Sequence, residues 1–177
     1  MIEAAKKDCS EYEKVKFAVS EAEKTSYRSN TFDNLICYAV FDALCQKEAL
    51  LEMNRILKKT GTVLITGKND NYFVDDREAL IAERNARKKR HPNYFTDLKK
   101  LFEHLGDFGF SLIDNRFFLR RGDTHKDCFI TSIPDCFYEY MIVLKKIKHI
   151  TNDINIEISD SFSRTFRLAT KEGGPMS

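Results

Sequence analysis

Apolar positions along this chain come in two layouts: short unbroken runs, and longer stretches in which they return every three or four residues. The first layout predicts buried strands and the second helices with one apolar stripe. "VKFAV" (15–19) and "FDNLICYAV" (32–40) are runs of the first kind, β-branched and aromatic, each ending at a polar break. "TVLITG" (62–67) repeats the design, too uniformly apolar for a sheet with one wet face. Before it, Ala49, Leu50, Met53, Ile56 and Leu57 gather on one face of a helix predicted from Lys47 to Lys59. Lys58 and Lys59 suit its negative end, and Gly61 supplies its stop. The opening "MIEAAKKDCSEYEK" predicts a further helix, with Ile2, Ala5 and Cys9 on one face. Strand, helix and strand in this rhythm predict a parallel α/β unit.

The second half continues the alternation. "DDREALIAERNARKKRH" (75–91) is acidic at its start and basic at its end, which predicts a polar, largely exposed helix closed by Pro92. "NYFTDLKKLFEHLGDFGF" (93–110) places Leu98, Leu101, Phe102 and Leu105 on one helical face, with Asn93 or Thr96 as cap and Gly106 as terminator. "FSLIDNRFFLRR" and "FYEYMIVLKKI" predict two later strands, paired antiparallel at one edge across the polar connection "GDTHKDCFITSIPDC". "NDINIEIS" alternates like an edge strand, and the last residues, ending in Gly, Gly and Pro, are expected to be poorly ordered.

Composition narrows the class. A chain of 177 residues, 42% hydrophobic and 32% charged, suits a folded protein with a core of ordinary domain size. A formal net charge of +2 gives too weak a field to argue for nucleic acid, and the basic end of "RNARKKRH" lacks interleaved aromatics, so a small or neutral partner is expected. The five cysteines form no close C-x-x-C pair and read as reduced core residues, with no metal site. No apolar stretch approaches the roughly 20 residues that cross a bilayer, and no signal peptide is visible, so the default compartment is the cytosol.

In open α/β sheets ligands sit beyond the carboxyl ends of the strands, which directs attention to Ser20–Glu23, Cys37–Phe41 and Thr66–Asn71. There the sequence resembles the class I S-adenosylmethionine-dependent methyltransferases of the type 11 group. The likeness runs from Met1 to about Gly67 and is carried by "SEAE", "NTFD" and "EMNRILKKTG", in that order. The resemblance implies a partial Rossmann-like sheet, mostly parallel with an antiparallel C-terminal edge pair and helices on both faces. It implies that Glu21 accepts from the adenine amino group, that the backbone at Ala22 meets the ring edge, that Glu23 beside them is a cofactor-binding candidate or a solvated carboxylate, and that Cys37, Tyr38 and Ala39 border the methionine part of the cofactor. Asp33, before its strand, reads instead as a structural brace.

The family's glycine-rich loop after its first strand, and the acidic residue after its second, have no counterpart in this sequence. By resemblance the chain is then the C-terminal part of a methyltransferase, with residues 1–148 a partial catalytic domain and 149–177 an extension. In the family's strand order two strands would lie between "VKFAV" and "FDNLICYAV", a gap of roughly 14 Å. Such a chain alone is expected to bind S-adenosylmethionine very weakly and to be inactive.

Methyl transfer depends mainly on holding two reactants in line, so no dedicated catalytic residue is assigned. His91, His104 and His125 are the candidate bases by type, with His104 read as structural. His91, Tyr94 and Phe95 are candidates to shape a pocket for a small-molecule acceptor. Arg120 and Arg121 are candidates to bind an anionic acceptor through their guanidinium forks, against an ordinary charged turn. Two other classes stay open: a non-catalytic relative that binds a partner, and a nucleotide-binding oxidoreductase, which lacks any G-x-G-x-x-G fingerprint.

Overall fold

The chain passes from helix to strand at Leu57 with no loop between them. In the computed structural model, which describes residues 2–89, 93–126 and 128–160, helix α2 (Gln46–Ile56) runs directly into β2 (Leu57–Lys68). The helix predicted to end at Lys59 therefore ends three residues earlier. Gly61 is not its stop but a close approach inside the strand: a Cβ there would lie 2.8 Å from the Asp33 carbonyl oxygen. Ahead of these lie α1 (Ile2–Asp8) and β1 (Phe32–Cys37); after them come α3 (Arg77–Lys88), β3 (Phe95–Thr96), α4 (Leu98–Glu103), β4 (Phe110–Phe118), β5 (Glu139–Lys146) and β6 (Ser159–Asp160).

The architecture is α/β, with a four-stranded mixed sheet in the order β1-β2-β5-β4 and a small β3-β6 pair. β1 and β2 are parallel, whereas β5 runs antiparallel to both β2 and β4. The predicted antiparallel pair at the C-terminal edge is present, and of the other two pairings β1-β2 is parallel and β2-β5 antiparallel.

The core forms where strands have neighbours on both sides. Val63 and Ile65 of β2 and Ile142 and Leu144 of β5 are fully buried, and Ala49 and Leu50 of α2 pack with them. At about 25 cal/mol per Å² of apolar surface, this cluster is the main stabilising element. Ile154 and Ile158 belong to the same cluster, so the boundary expected at 148 does not separate residues 150–158 from the core.

Several local expectations are corrected. "VKFAV" is not a strand: 15–19 has no regular structure, and Val15 and Val19 are 44% and 88% exposed. A run of this kind becomes a buried strand only when another strand hydrogen-bonds along it, and among the described residues none does. The helix predicted from Asn93 shrinks to α4, capped by Asp97, whose carboxylate accepts from the Lys100 amide at 3.1 Å, while Phe95 and Thr96 pair with β6. "NDINIEIS" forms a strand only at its last residue and the next. Cys37 alone of the five cysteines is buried; Cys45 and Cys128 are exposed. Asp33 lies in β1 and accepts from Lys58 at 2.8 Å, an exposed cross-strand pair. α3 is capped by Asp76 within its acidic start and, although mostly polar as expected, buries Ala79 and Glu83. Pro92 and His91 lie outside the described residues, as does the chain after 160.

Candidate functional site

Because β1 and β2 are parallel, their carboxyl ends open at the same side, and antiparallel β5 begins there, with Glu139 directly opposite Lys68. Three strand ends therefore meet. Beyond Cys37 the chain turns sharply: Ala39 adopts φ 55, a left-handed conformation unusual for a residue with a Cβ, and its amide donates to Thr66 Oγ1 at 2.7 Å. The 3-10 turn Phe41–Ala43 then leads the chain toward α2. A cavity of about 290 Å³ lies at this mouth, lined by Tyr38, Ala39, Asp42, Lys68, Arg121 and Glu139 among others.

Its floor is a network of charged groups. Lys68 Nζ lies 2.6 Å from Asp42 Oδ2 and 3.4 Å from Glu83 Oε1, so one ammonium serves two carboxylates. Glu83, fully buried on α3, also accepts from the Tyr138 hydroxyl at 2.5 Å and from the Asn93 side-chain amide. Arg121 Nη1 donates to the Tyr138 oxygen at 3.2 Å and stands 4.0 Å from Glu139 Oε1. Burial, and then the neighbouring Glu83 carboxylate, push the Tyr138 phenol well above its usual range. Burial also raises Glu139 above an ordinary carboxyl, a rise that Arg121, Lys68 and a bond from the Gly122 amide reduce without cancelling. Thr96 donates to Gln46 Oε1 at 2.9 Å, so the Tyr140 hydroxyl, 2.6 Å from Thr96 Oγ1, is the donor in that pair.

The sequence candidates separate in space. Tyr38, Ala39 and Arg121 line the mouth. Cys37, next to them in sequence, points into the core, where burial and then Asp42 push its thiol up to about 12. Glu21, Ala22 and Glu23 do not line this cavity. Glu21 is exposed in a turn bridged to Lys24, and Glu23 accepts from the Cys45 amide at 2.9 Å, at the start of α2. Tyr94 donates its amide to the Asp42 carbonyl at 2.7 Å, bracing the turn behind the mouth. Phe95 is buried and lines a second cavity of about 430 Å³. The Arg120 guanidinium is held by Asp75 at 3.1 Å and stacks over Phe73. His104 pairs with Asp107 at 2.8 Å, as a structural histidine would, while His125 stands exposed at the rim of the mouth.

Sequence reading missed Asp42, Glu83 and Glu139. Lys68 fell in a segment singled out by its place after a strand, and the same rule, applied to the residue opposite it across an antiparallel pair, leads to Glu139. Among the described residues no group of three His, Cys, Asp or Glu side chains is placed to hold a metal, and no helix is long and apolar enough to cross a membrane.

Residues 1–65 match a family described as a methyltransferase domain. No curated protein matches the chain. Among solved structures it is similar to a SAM-dependent methyltransferase from Methanosarcina mazei, at 16% identity and TM-score 0.52, over 76% of this chain and 68% of that one. A SAM-dependent methyltransferase from Archaeoglobus fulgidus aligns at 18% identity and TM-score 0.53, over 78% and 72%. A third, the 1,6-didemethyltoxoflavin-N1-methyltransferase of Burkholderia thailandensis, solved with 1,6-didemethyltoxoflavin and S-adenosylhomocysteine bound, aligns at 14% and TM-score 0.51, over 82% and 57%. The fold is that of the class I S-adenosylmethionine-dependent methyltransferases. The matched first 65 residues run from α1 into β2 and include the β1 side of the mouth.

Proposed function

We propose that this chain carries the acceptor side of an S-adenosylmethionine-dependent methyltransferase acting on a small molecule. The observation that carries the reading is the charged cavity at the joint carboxyl ends of β1 and β2, beside the segment that matches the methyltransferase family. S-adenosylmethionine, when bound, supplies an electrophilic methyl group on a sulfonium. The chain's residues suit only part of that cofactor. Tyr38 and Ala39 would border its methionine end, but the sequence has seven glycines and no G-x-G-x-G run to cradle the rest. Glu21, Ala22 and Glu23 remain candidates for the adenine end, with Glu23 engaged to the Cys45 amide.

The chain's own groups hold and orient an acceptor: Arg121 and Tyr38 at the walls, Asp42, Lys68 and Glu139 toward the floor. Its cavity is of a size for a small molecule or part of one. The open edge of β1, with Ile36 76% exposed, supports the reading that further strands pair there and bring the rest of the cofactor cradle. On this reading the 177-residue chain by itself binds S-adenosylmethionine very weakly and is inactive.

Calorimetric titration with S-adenosylhomocysteine tests both parts. Micromolar binding by the 177-residue chain overturns the division of the cofactor site. An upstream-extended protein that carries a glycine-rich loop and still shows no heat favours the second reading, a methyltransferase-like binding module without catalysis.

A further inference from the structure

We propose that the acceptor held at this mouth carries a primary or secondary amine, and that Glu139 receives the proton this amine gives up. The inference rests on the methyl-transfer reading and narrows it to a substrate class.

Charge is the first argument. The cavity is lined by two carboxylates, Asp42 and Glu139, and two fixed cations, Lys68 and Arg121, and a third carboxylate, the buried Glu83, stands behind Lys68 at 3.4 Å and draws on its charge. Lys68 is divided between Asp42 and Glu83, and Arg121 reaches Glu139 only at 4.0 Å while donating to Tyr138 at 3.2 Å. One more positive charge balances the group, and an alkylammonium brings it together with N–H donors that carboxylate oxygens accept. A carboxylate ligand would meet two cations already engaged. Tyr38, 61% exposed, adds an aromatic ring to the lining of the same cavity, a group that attracts cations.

Geometry selects Glu139 as the proton's destination. It lies directly across from Lys68 in an antiparallel pair, so both side chains emerge on one face of the sheet, toward the cavity. His125 also lines the cavity but stands exposed at its rim, whereas the other groups are committed elsewhere. Tyr140 donates to Thr96, Tyr138 donates to Glu83, and Cys37 is turned into the core. Asp42 is bound to Lys68 at 2.6 Å. The raised proton affinity that burial gives Glu139 favours the transfer. In the step an ammonium N–H bond breaks and a Glu139 O–H bond forms. The electron pair stays on nitrogen, which becomes the neutral nucleophile.

The test needs no cofactor, so its failure is distinct from failure of the methyl-transfer reading. The ¹⁵N-labelled 177-residue chain is titrated with n-butylammonium, sodium butyrate and trimethylsulfonium, following the amides of Tyr38, Thr66 and Glu139. Saturable shifts with butylammonium, and affinities lower by about tenfold for butyrate and for trimethylsulfonium, are expected, as for the loss of one charge-assisted hydrogen bond. Glu139→Gln should weaken butylammonium by a similar factor. The groups facing Glu139 are Arg121, Lys68, Asp42, His125 and the Gly122 amide; wild-type affinity should fall as pH drops through the Glu139 titration, an effect lost in Glu139→Gln and kept in His125→Gln. Equal binding of trimethylsulfonium removes the proton-accepting role. Equal or preferred binding of butyrate, no saturable shift, or unchanged affinity in Glu139→Gln overturns the proposal.

Discussion

The two halves of the sheet are built from similar apolar runs and end in opposite conditions. β2, β5 and β4 are locked by antiparallel pairing, and Val63, Ile65, Ile142 and Leu144 are fully buried. β1, among the described residues an edge strand as β4 is, has its one partner in parallel rather than antiparallel register, and Ile36 is 76% exposed against 53% for Ile113 of β4; Val19, in the preceding run, is 88% exposed. Local apolarity therefore supplies the capacity for burial, and the neighbouring strand decides whether it is used. An exposed apolar edge also offers unpaired N–H and C=O groups to any strand that arrives.

Truncation is the most direct way to break this comparison. Leu144→Ala in the closed half should cost about 2–5 kcal/mol, whereas Ile36→Ala at the open edge should stay within about 0.5 kcal/mol. Urea unfolding midpoints at fixed slope measure both. Comparable losses would mean that β1 is covered in solution.

A smaller effect is expected at the buried amine of the closed half. Lys146 donates to the carbonyls of Asn54 and Leu57 at 2.7 Å each, and to Asn30 Oδ1 at 3.1 Å. It thereby satisfies carbonyls at the end of α2 that the helix leaves without partners. Lys146→Met strands those carbonyls and should cost about 1–3 kcal/mol. Burial holds the Lys146 amine below its ordinary range, so the folded chain loses this proton at a lower pH than the unfolded chain does. Wild-type stability should gain from Lys146 as pH rises through the folded pKa toward the ordinary lysine value, and Lys146→Met should lack that gain.

Much of the closed half was legible in the sequence, and the reason is physical. The stripe Ala49, Leu50, Met53, Ile56, the acidic start and basic end of α3 and the runs of β2, β4 and β5 are local signals that the fold leaves intact. What could not be read depends on a distant partner. "VKFAV" carries the composition of a strand without a strand beside it, and β3 exists because Ser159 and Asp160 return to it. The site divides the same way. Tyr38 and Ala39 follow a strand and were found by that rule, whereas Asp42 and Glu139 join them through the turn after β1 and the antiparallel return of β5. Glu21 and Glu23 were placed by resemblance, and the fold sets Glu23 to bonding the start of α2.

The open half is fastened to the closed one through Glu52 of α2. Its carboxylate accepts from the Thr25 amide at 2.8 Å, the Thr25 hydroxyl at 2.5 Å and Arg55 at 2.7 Å. Burial raises the Glu52 pKa, but the bonds from Arg55 and Thr25 outweigh it and leave the group below the usual glutamate value. The stabilisation is present above the unfolded glutamate pKa and is lost as pH falls through the folded one. Glu52→Gln should cost about 1–2 kcal/mol near neutrality and remove that acid dependence. Hydrogen exchange would show whether the segment around Thr25 opens while β5 stays protected.

The smallest effect is expected at Ala39, where β1 ends and the mouth begins. Its left-handed φ of 55 is a conformation that costs a Cβ-bearing residue about 1 kcal/mol or more, and glycine adopts it freely. Against that relief stands the greater freedom glycine gives the unfolded chain, about 0.4–1 kcal/mol. Ala39→Gly should therefore leave stability unchanged or raise it by under about 1 kcal/mol, while Ala39→Val should lower it, since branching at Cβ worsens the same clash. The amide of residue 39 should keep its bond to Thr66 in the glycine variant, visible as unchanged protection of that amide from hydrogen exchange, because the backbone geometry that makes the bond is retained. A glycine variant that loses stability by more than its entropic cost would show that the Ala39 methyl is packed at the mouth rather than strained there.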